Sequence, residues 1–204
     1  MVVGPSGPIC PLGDAVAELG EGAVQLDDQW APNELDRQAV RRAFSGREVF
    51  AGPEANGHAL YSFGAQFVEV SVEPVTRIPR VGRMVGVFGC GRIINPRTAR
   101  AQLVGGMIWG ASHALLEASP IDGAGRFAGA DLGAYHFAAN ADVSDVRVET
   151  VEEHDEVINE LGAKGVGEIG VLGTAAAVAN AVYHATGVRV RETPILLDTL
   201  VPDS

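Results

Sequence analysis

Cysteine is scarce in this 204-residue chain, which has only Cys10 and Cys90. Two cysteines cannot build the disulfide framework of a small secreted scaffold. Basic residues are also few: 15 Lys and Arg stand against 26 Asp and Glu, a net charge of −11. That balance argues against non-specific binding to nucleic acid or an anionic membrane, which needs a basic face. No apolar run reaches the roughly 18 residues of a bilayer span. The opening Met1-Val2-Val3-Gly4-Pro5 lacks the charged and apolar regions of a signal peptide, so the expected setting is cytoplasmic. The histidines, His58, His113, His136, His154 and His184, form no H-E-x-x-H pair, which disfavours zinc and leaves no metal ligand to name. No G-x-S-x-G elbow occurs, and no G-x-x-x-x-G-K-[ST] loop, because Gly165 follows Lys164.

What is present reads as a folded domain. Hydrophobic residues make up 47% and charged residues 20%, ordinary for a globular core. Residues 1–60 are broken by Gly4-Pro5-Ser6-Gly7-Pro8 and Pro11, which should exclude regular elements there. Short helices over 14–19 and 33–44 are the exceptions, and the segment is expected to be an arm wrapping the rest. Residues 61–204 form the main domain. Val68, Val70 and Val72 alternate with Glu69, Ser71 and Glu73, predicting a half-buried strand that Pro74 ends. A second strand is expected over 83–88, pairing antiparallel with the first, and a third over 143–151. Asn95 and Pro96 open a helix over 96–117, with Leu103, Met107, Gly110, Ala111, Ala114 and Leu115 on one stripe. Gly105, Gly106 and Gly110 within it imply close approach by another backbone or a ligand. A second helix, 174–186, is almost all Ala and Val and should be buried, with Gly187 as its left-handed stop. The expected architecture is α+β: a small mixed or antiparallel sheet packed against two main helices.

The densest feature is Gly162-Ala163-Lys164-Gly165-Val166-Gly167-Glu168-Ile169-Gly170, leading into the second helix. So few side chains let backbone N–H groups face an anion, with a helix N-terminus behind them and Lys164 adding a full charge. Glu168 does not fit a pure phosphate cradle. A carboxylate among glycines reads as a catalytic base, since burial moves such a group toward proton transfer at neutral pH. It reads equally as a helix cap or a partner of Lys164. Gly165-Val166-Gly167-Glu168-Ile169-Gly170 also matches G-x-G-x-x-G, but Ile158-Asn159-Glu160-Leu161 is not the strand a dinucleotide site requires. Cys90, between Gly89 and Gly91 in an expected turn, is reactive or a buried inert thiol.

Taken together, these residues resemble the molybdenum hydroxylase large subunits of the xanthine dehydrogenase and aldehyde oxidase family. The 162–168 motif with its Ala-rich helix and Gly187 resembles their C-terminal end. Gly91-Arg92-Ile93-Ile94-Asn95-Pro96, Gln102 and Gly105-Gly106 form a second block, Phe63-Gly64-Ala65-Gln66-Phe67-Val68-Glu69-Val70 a third, and Tyr135 with Asp142 a weaker fourth. Gly89 and Ile169-Gly170-Val171 depart from the family, where an acidic residue and prolines are common.

The resemblance implies the fold of the C-terminal molybdopterin-binding domain over 61–204. It implies that Glu168 is the base that takes a proton from a molybdenum-bound hydroxide. Gln102 would contact the pterin cofactor, and Lys164, Gly165, Val166 and Gly167 the loop beside it. The cofactor would be a molybdenum pterin, with the cytosine dinucleotide form as one alternative. Iron–sulfur and FAD groups would sit only on partner chains. The expected partners are the complementary N-terminal part of the molybdopterin subunit, iron–sulfur and flavin subunits or domains, and a small aldehyde or N-heterocycle hydroxylated with water-derived oxygen. Family large subunits extend several hundred residues further on the N-terminal side, so the chain is expected to be a piece of a split subunit. The alternative is a non-catalytic remnant or assembly module without cofactor. A stand-alone nucleotide-binding enzyme is a third reading.

Overall fold

The structure is a computed structural model that describes residues 2–4, 7–18, 54–55, 58–143 and 145–201. It divides into two compact units, Met1–Ala31 and Pro32–Ser204. In the first, β1 (Val2–Gly4) and β2 (Gly7–Cys10) pair antiparallel, followed by α1 (Leu12–Glu18). The glycines and prolines expected to exclude regular structure there instead bracket a hairpin: Gly4 pairs with Gly7 and Val3 with Pro8. The helix expected over 33–44 lies outside the described residues.

In the second unit, β3 (Glu54–Ala55) and β4 (His58–Ala59) form a short antiparallel pair. The main sheet has three strands, β5 (Phe63–Val72), β6 (Pro79–Gly89) and β7 (Asp145–Thr150), in that order. β5 runs antiparallel to β6 and β7 parallel to it, so the sheet is mixed. The parallel pairing follows from the crossover between β6 and β7, α2 (Pro96–Leu115), because parallel neighbours need a connection too long for a turn. Asn95 caps α2 as its sequence demands: Oδ1 accepts from the Arg97 and Thr98 N–H groups at 3.1 and 3.2 Å. The helix is two residues shorter than expected, with Leu116 as its C-cap.

One sheet face is apolar by alternation. Val68, Met84 and Val146 sit in one row and Gln66, Gly86 and Val148 in the next. α2 buries Leu103, Met107, Ala111 and Ala114 in this core, with Phe88, Val190, Ile195 and Leu200. After β7 come α3 (Ile169–Leu172), α4 (Thr174–Thr186) and α5 (Leu197–Leu200). The glycine loop therefore enters α3, a single turn, and not the long helix as expected. Gly187 closes α4 at φ 77°. α4 is fully buried only along Thr174, Val178 and Val182, one stripe rather than all round. No helix among the described residues is long and apolar enough to cross a membrane.

The α2 glycines split by environment. A Cβ on Gly106 would stand 2.9 Å from the Gly170 carbonyl carbon, and one on Gly110 2.6 Å from Thr174 Cβ. These two admit the α3–α4 backbone. Gly105 is exposed and meets nothing within 4 Å. Gly106→Ala is therefore expected to destabilise the chain by about 2 kcal/mol through overpacking. Gly105→Ala should stabilise it by about 1 kcal/mol through helix propensity. Melting both variants tests this, since shifts of the same sign would contradict the packing.

Candidate functional site

The site is assembled where β6 ends. Gly91, at φ 63°, turns the chain away from the strand, and a Cβ there would collide with the Gly162 carbonyl oxygen. Gly91 and Ala163 form an antiparallel bridge. Arg92 N–H donates to Gly162 O at 2.7 Å and Lys164 N–H to Cys90 O at 3.1 Å. Asn159 braces the same stretch, its Nδ2 donating to Ala163 O at 2.8 Å. Gly89 is thus the last residue of β6, with Cys90 directly after it, and the turn expected at Cys90 falls at Gly91. The Cys90 thiol is fully buried, and burial pushes it above its ordinary range, so it stays protonated and inert.

Lys164 is the only lysine in the chain. Its side chain is 5% exposed, and its Nζ lies 2.5 Å from Glu153 Oε1 and 2.9 Å from Asp155 Oδ2. Both carboxyls are held below their ordinary range, chiefly by the hydrogen bond from Lys164. Burial is the largest influence on Lys164 and pushes it down, but the hydrogen bonds to Glu153 and Asp155 outweigh it and hold the amine above its usual value. The full charge expected to face a ligand is therefore already compensated by two carboxylates. Sequence reasoning passed over this pair, although Glu152-Glu153-His154-Asp155-Glu156 lies just upstream of the loop.

Beyond Lys164 the loop opens. Gly165 and Gly167 are exposed, and a Cβ on either would meet nothing within 4 Å. Among the described residues no acceptor faces the N–H groups of Gly165, Val166 or Gly167. Two side chains hold the loop's carbonyls: Ser62 Oγ donates to Gly165 O at 2.5 Å and Gln102 Nε2 to Gly167 O at 2.6 Å. The structure thus brings Gln102 against a loop 65 residues away, beside Glu168. Gln66, another residue without an expected role, donates from β5 to Gly170 O at 2.7 Å and fixes α3.

Glu168 occupies the N-cap position of α3, yet its side chain makes no capping hydrogen bond. Its carbonyl accepts from Val171 N–H at 3.0 Å, and Lys164 is engaged elsewhere. Neither structural explanation, cap or ion pair, therefore applies. The carboxylate is exposed, so the burial expected to tune it is not supplied by the described residues. Nor do the residues before Gly165 form the strand that a dinucleotide site requires. Tyr135 and Asp142 are not paired: Tyr135 donates to Glu117 at 2.7 Å and Asp142 accepts from Ala139 N–H at 2.9 Å. An apolar cavity of about 380 Å³ lies between β6, the C-terminal half of α2 and Ile195, and none of the loop residues lines it. No cluster of three or more His, Cys, Asp or Glu among the described residues is placed to hold a metal ion.

A family model for the molybdopterin cofactor-binding domain matches residues 12–144, so Gln102 lies inside the matched range and Glu168 beyond it. The aldehyde oxidoreductase molybdenum-binding subunit PaoC of Escherichia coli (strain K12) is 44% identical over 141 residues, 69% of this chain and 19% of that subunit. The crystal structure of the aldehyde oxidoreductase from Desulfovibrio desulfuricans ATCC 27774 aligns with a TM-score of 0.64 at 27% identity, over 79% of this chain and 19% of that one. Quinoline 2-oxidoreductase from Pseudomonas putida 86 aligns with a TM-score of 0.59 at 28% identity, over 64% and 17%. The chain spans about a fifth of the length of these relatives. With α+β architecture, a mixed three-stranded sheet and a family match over well over half its length, the chain belongs to the molybdopterin cofactor-binding domain family of molybdenum hydroxylases.

Proposed function

We propose that this chain forms one wall of the cofactor site in an aldehyde- or N-heterocycle-hydroxylating molybdenum oxidoreductase, with residues 61–204 as the cofactor-binding domain and 1–60 as its arm. The observation that carries the reading is Glu168: a carboxylate on a braced backbone, with no capping bond and no ion pair among the described residues, next to a hydrogen-bonding loop. The donor set fits a molybdopterin. Among the described residues three adjacent N–H groups have no acceptor, and Gly165 and Gly167 leave the approach open. Gln102 donates to Gly167 O, and its amide oxygen is left to accept from a bound group.

When bound, a molybdopterin would supply the two-electron redox chemistry of the hydroxylation. The chain's own residues do the rest. Gln102 and the backbone N–H groups of Gly165, Val166 and Gly167 would orient the cofactor by hydrogen bonds; Lys164, whose N–H donates to Cys90 O and whose ammonium binds Glu153 and Asp155, acts on the loop and not on the ligand. The Glu168 carboxylate accepts the proton released as oxygen transfer begins. The enclosure that excludes water comes from a complementary N-terminal part of the molybdopterin subunit, and the iron–sulfur and flavin groups sit on further partner subunits or domains. Phe67, Trp109 and Leu172, each more than half exposed, offer apolar surface for such a partner.

The test is a metal assay on the chain purified from its natural host with its partners attached. Stoichiometric molybdenum in a larger complex is expected. A metal-free chain without partners would establish the other reading, a remnant or assembly module.

A further inference from the structure

We propose that Glu153 is a positioning residue for Glu168, acting through Lys164 to set residues 165–168. This rests on the reading of Glu168 as the base. The two oxygens of Glu153 hold two different parts of the chain: Oε1 binds the Lys164 ammonium at 2.5 Å and Oε2 accepts Gly91 N–H at 2.8 Å. Gly91 lies two residues past the end of β6, and Lys164 immediately precedes the open loop. One carboxylate therefore fastens the root of the loop to the sheet, across the Gly91–Ala163 bridge. Asp155 adds a second acceptor at 2.9 Å.

The residue choice supports this role. Every other formal basic side chain in the protein is Arg, and its one Lys sits here. An ammonium is compact, with three rotatable donors, and can bridge two carboxylates in a space that a planar guanidinium fork would not fit. Enclosing three charges is unfavourable unless geometry and hydrogen bonds compensate, and such groups can be kept to fix one arrangement of the chain. Backbone bonds from Arg92 N–H to Gly162 O and from Lys164 N–H to Cys90 O, with the Asn159 amide, also tie the root, and beyond it Ser62 and Gln102 each hold one carbonyl oxygen. The ionic staple adds the side-chain tie at Lys164, the last residue before the open stretch, and without it residues 165–168 would be held less firmly.

The single lysine makes the test direct. In the metal-free chain labelled with ¹⁵N-lysine, one side-chain ammonium signal is expected, slowed in exchange by burial and pairing. Glu153→Gln keeps the shape and an acceptor for Gly91 but removes the charge. It should abolish that slow signal and raise amide hydrogen exchange at residues 165–168 about tenfold, with β6 and α2 changed less than about twofold. Asp155→Asn should act in the same direction and less strongly. In the assembled holoenzyme, Glu153→Gln should lower kcat about tenfold with molybdenum content and KM held within about twofold, as expected for a misplaced group. Unchanged loop exchange would overturn the proposal. So would an equal rise throughout the sheet, which would make the staple a general support of the fold. Both readouts on the metal-free chain are independent of Glu168. If Glu168→Gln retained turnover, the base assignment would fail while the loop result stood.

Discussion

Replacing Glu168 with Gln is expected to lower turnover of the assembled enzyme by about a thousandfold, the range of a lost general base. Molybdenum content should not change. The Glu168 side chain carries no structural duty among the described residues. It makes no capping bond to α3, and the local backbone bonds are made by its carbonyl, which Gln retains. Gln102 and the 165–167 backbone, which would hold the cofactor, are untouched. The variant should therefore unfold within about 0.5 kcal/mol of the parent, as for a surface change away from structural features. A capping role would predict a loss of about 1 kcal/mol and no effect on chemistry. Turnover, metal content and a melting curve on one preparation separate the two, and full turnover in the variant would remove Glu168 from the mechanism.

The elements legible in the sequence were those written by local rules. Alternating valines placed β5, Asn95-Pro96 placed the start of α2, and Gly187 placed the end of α4. Each signal lies within a few residues of the feature it specifies. The hairpin of β1 and β2 was not legible, because glycine and proline mark a turn and a break with the same residues. The full length of β5 was hidden for a similar reason. Phe63-Gly64-Ala65 does not alternate in hydrophobicity, and the strand there is set by pairing with Gly89, Phe88 and Val87.

At the site, Gln102, Glu168 and the glycine loop could be singled out from residue type and family resemblance. The role of Lys164 could not. A lysine beside glycines suggests an anion ligand, and only the return of residues 153–155 to the end of β6 reveals its partners. One signal was available: an acidic run followed eight residues later by the chain's only lysine. Gln66 stood within a family block, but its bracing role left no signal, since its bond to Gly170 spans 104 residues.

Lys164→Met should destabilise the chain by about 3 kcal/mol at neutral pH, the scale for removing one partner of a buried ion pair. The substitution keeps most of the aliphatic stem and leaves Glu153 and Asp155 facing each other without a cation. The sign of the pH dependence follows from the three groups. Glu153 and Asp155 are held below their ordinary range in the folded chain. Their contribution is therefore complete above the unfolded carboxylate value of about 4 and is lost as pH falls through the folded values. Lys164 is held above its ordinary value. Its contribution is complete below about 10.4 and is lost as pH rises through the folded value. The gap between parent and variant should thus be widest between about pH 5 and pH 10 and should narrow in acid, where protonated carboxyls no longer need the ammonium. Denaturant unfolding at neutral and acid pH measures it, and a gap that stayed constant would assign the loss to packing of the lysine stem. A triple variant with Glu153→Gln and Asp155→Asn added should recover much of the stability, because removing every charge avoids the unpaired state. It should not recover the order of residues 165–168, and that divergence between stability and loop order distinguishes a staple that places Glu168 from one that only supports the fold.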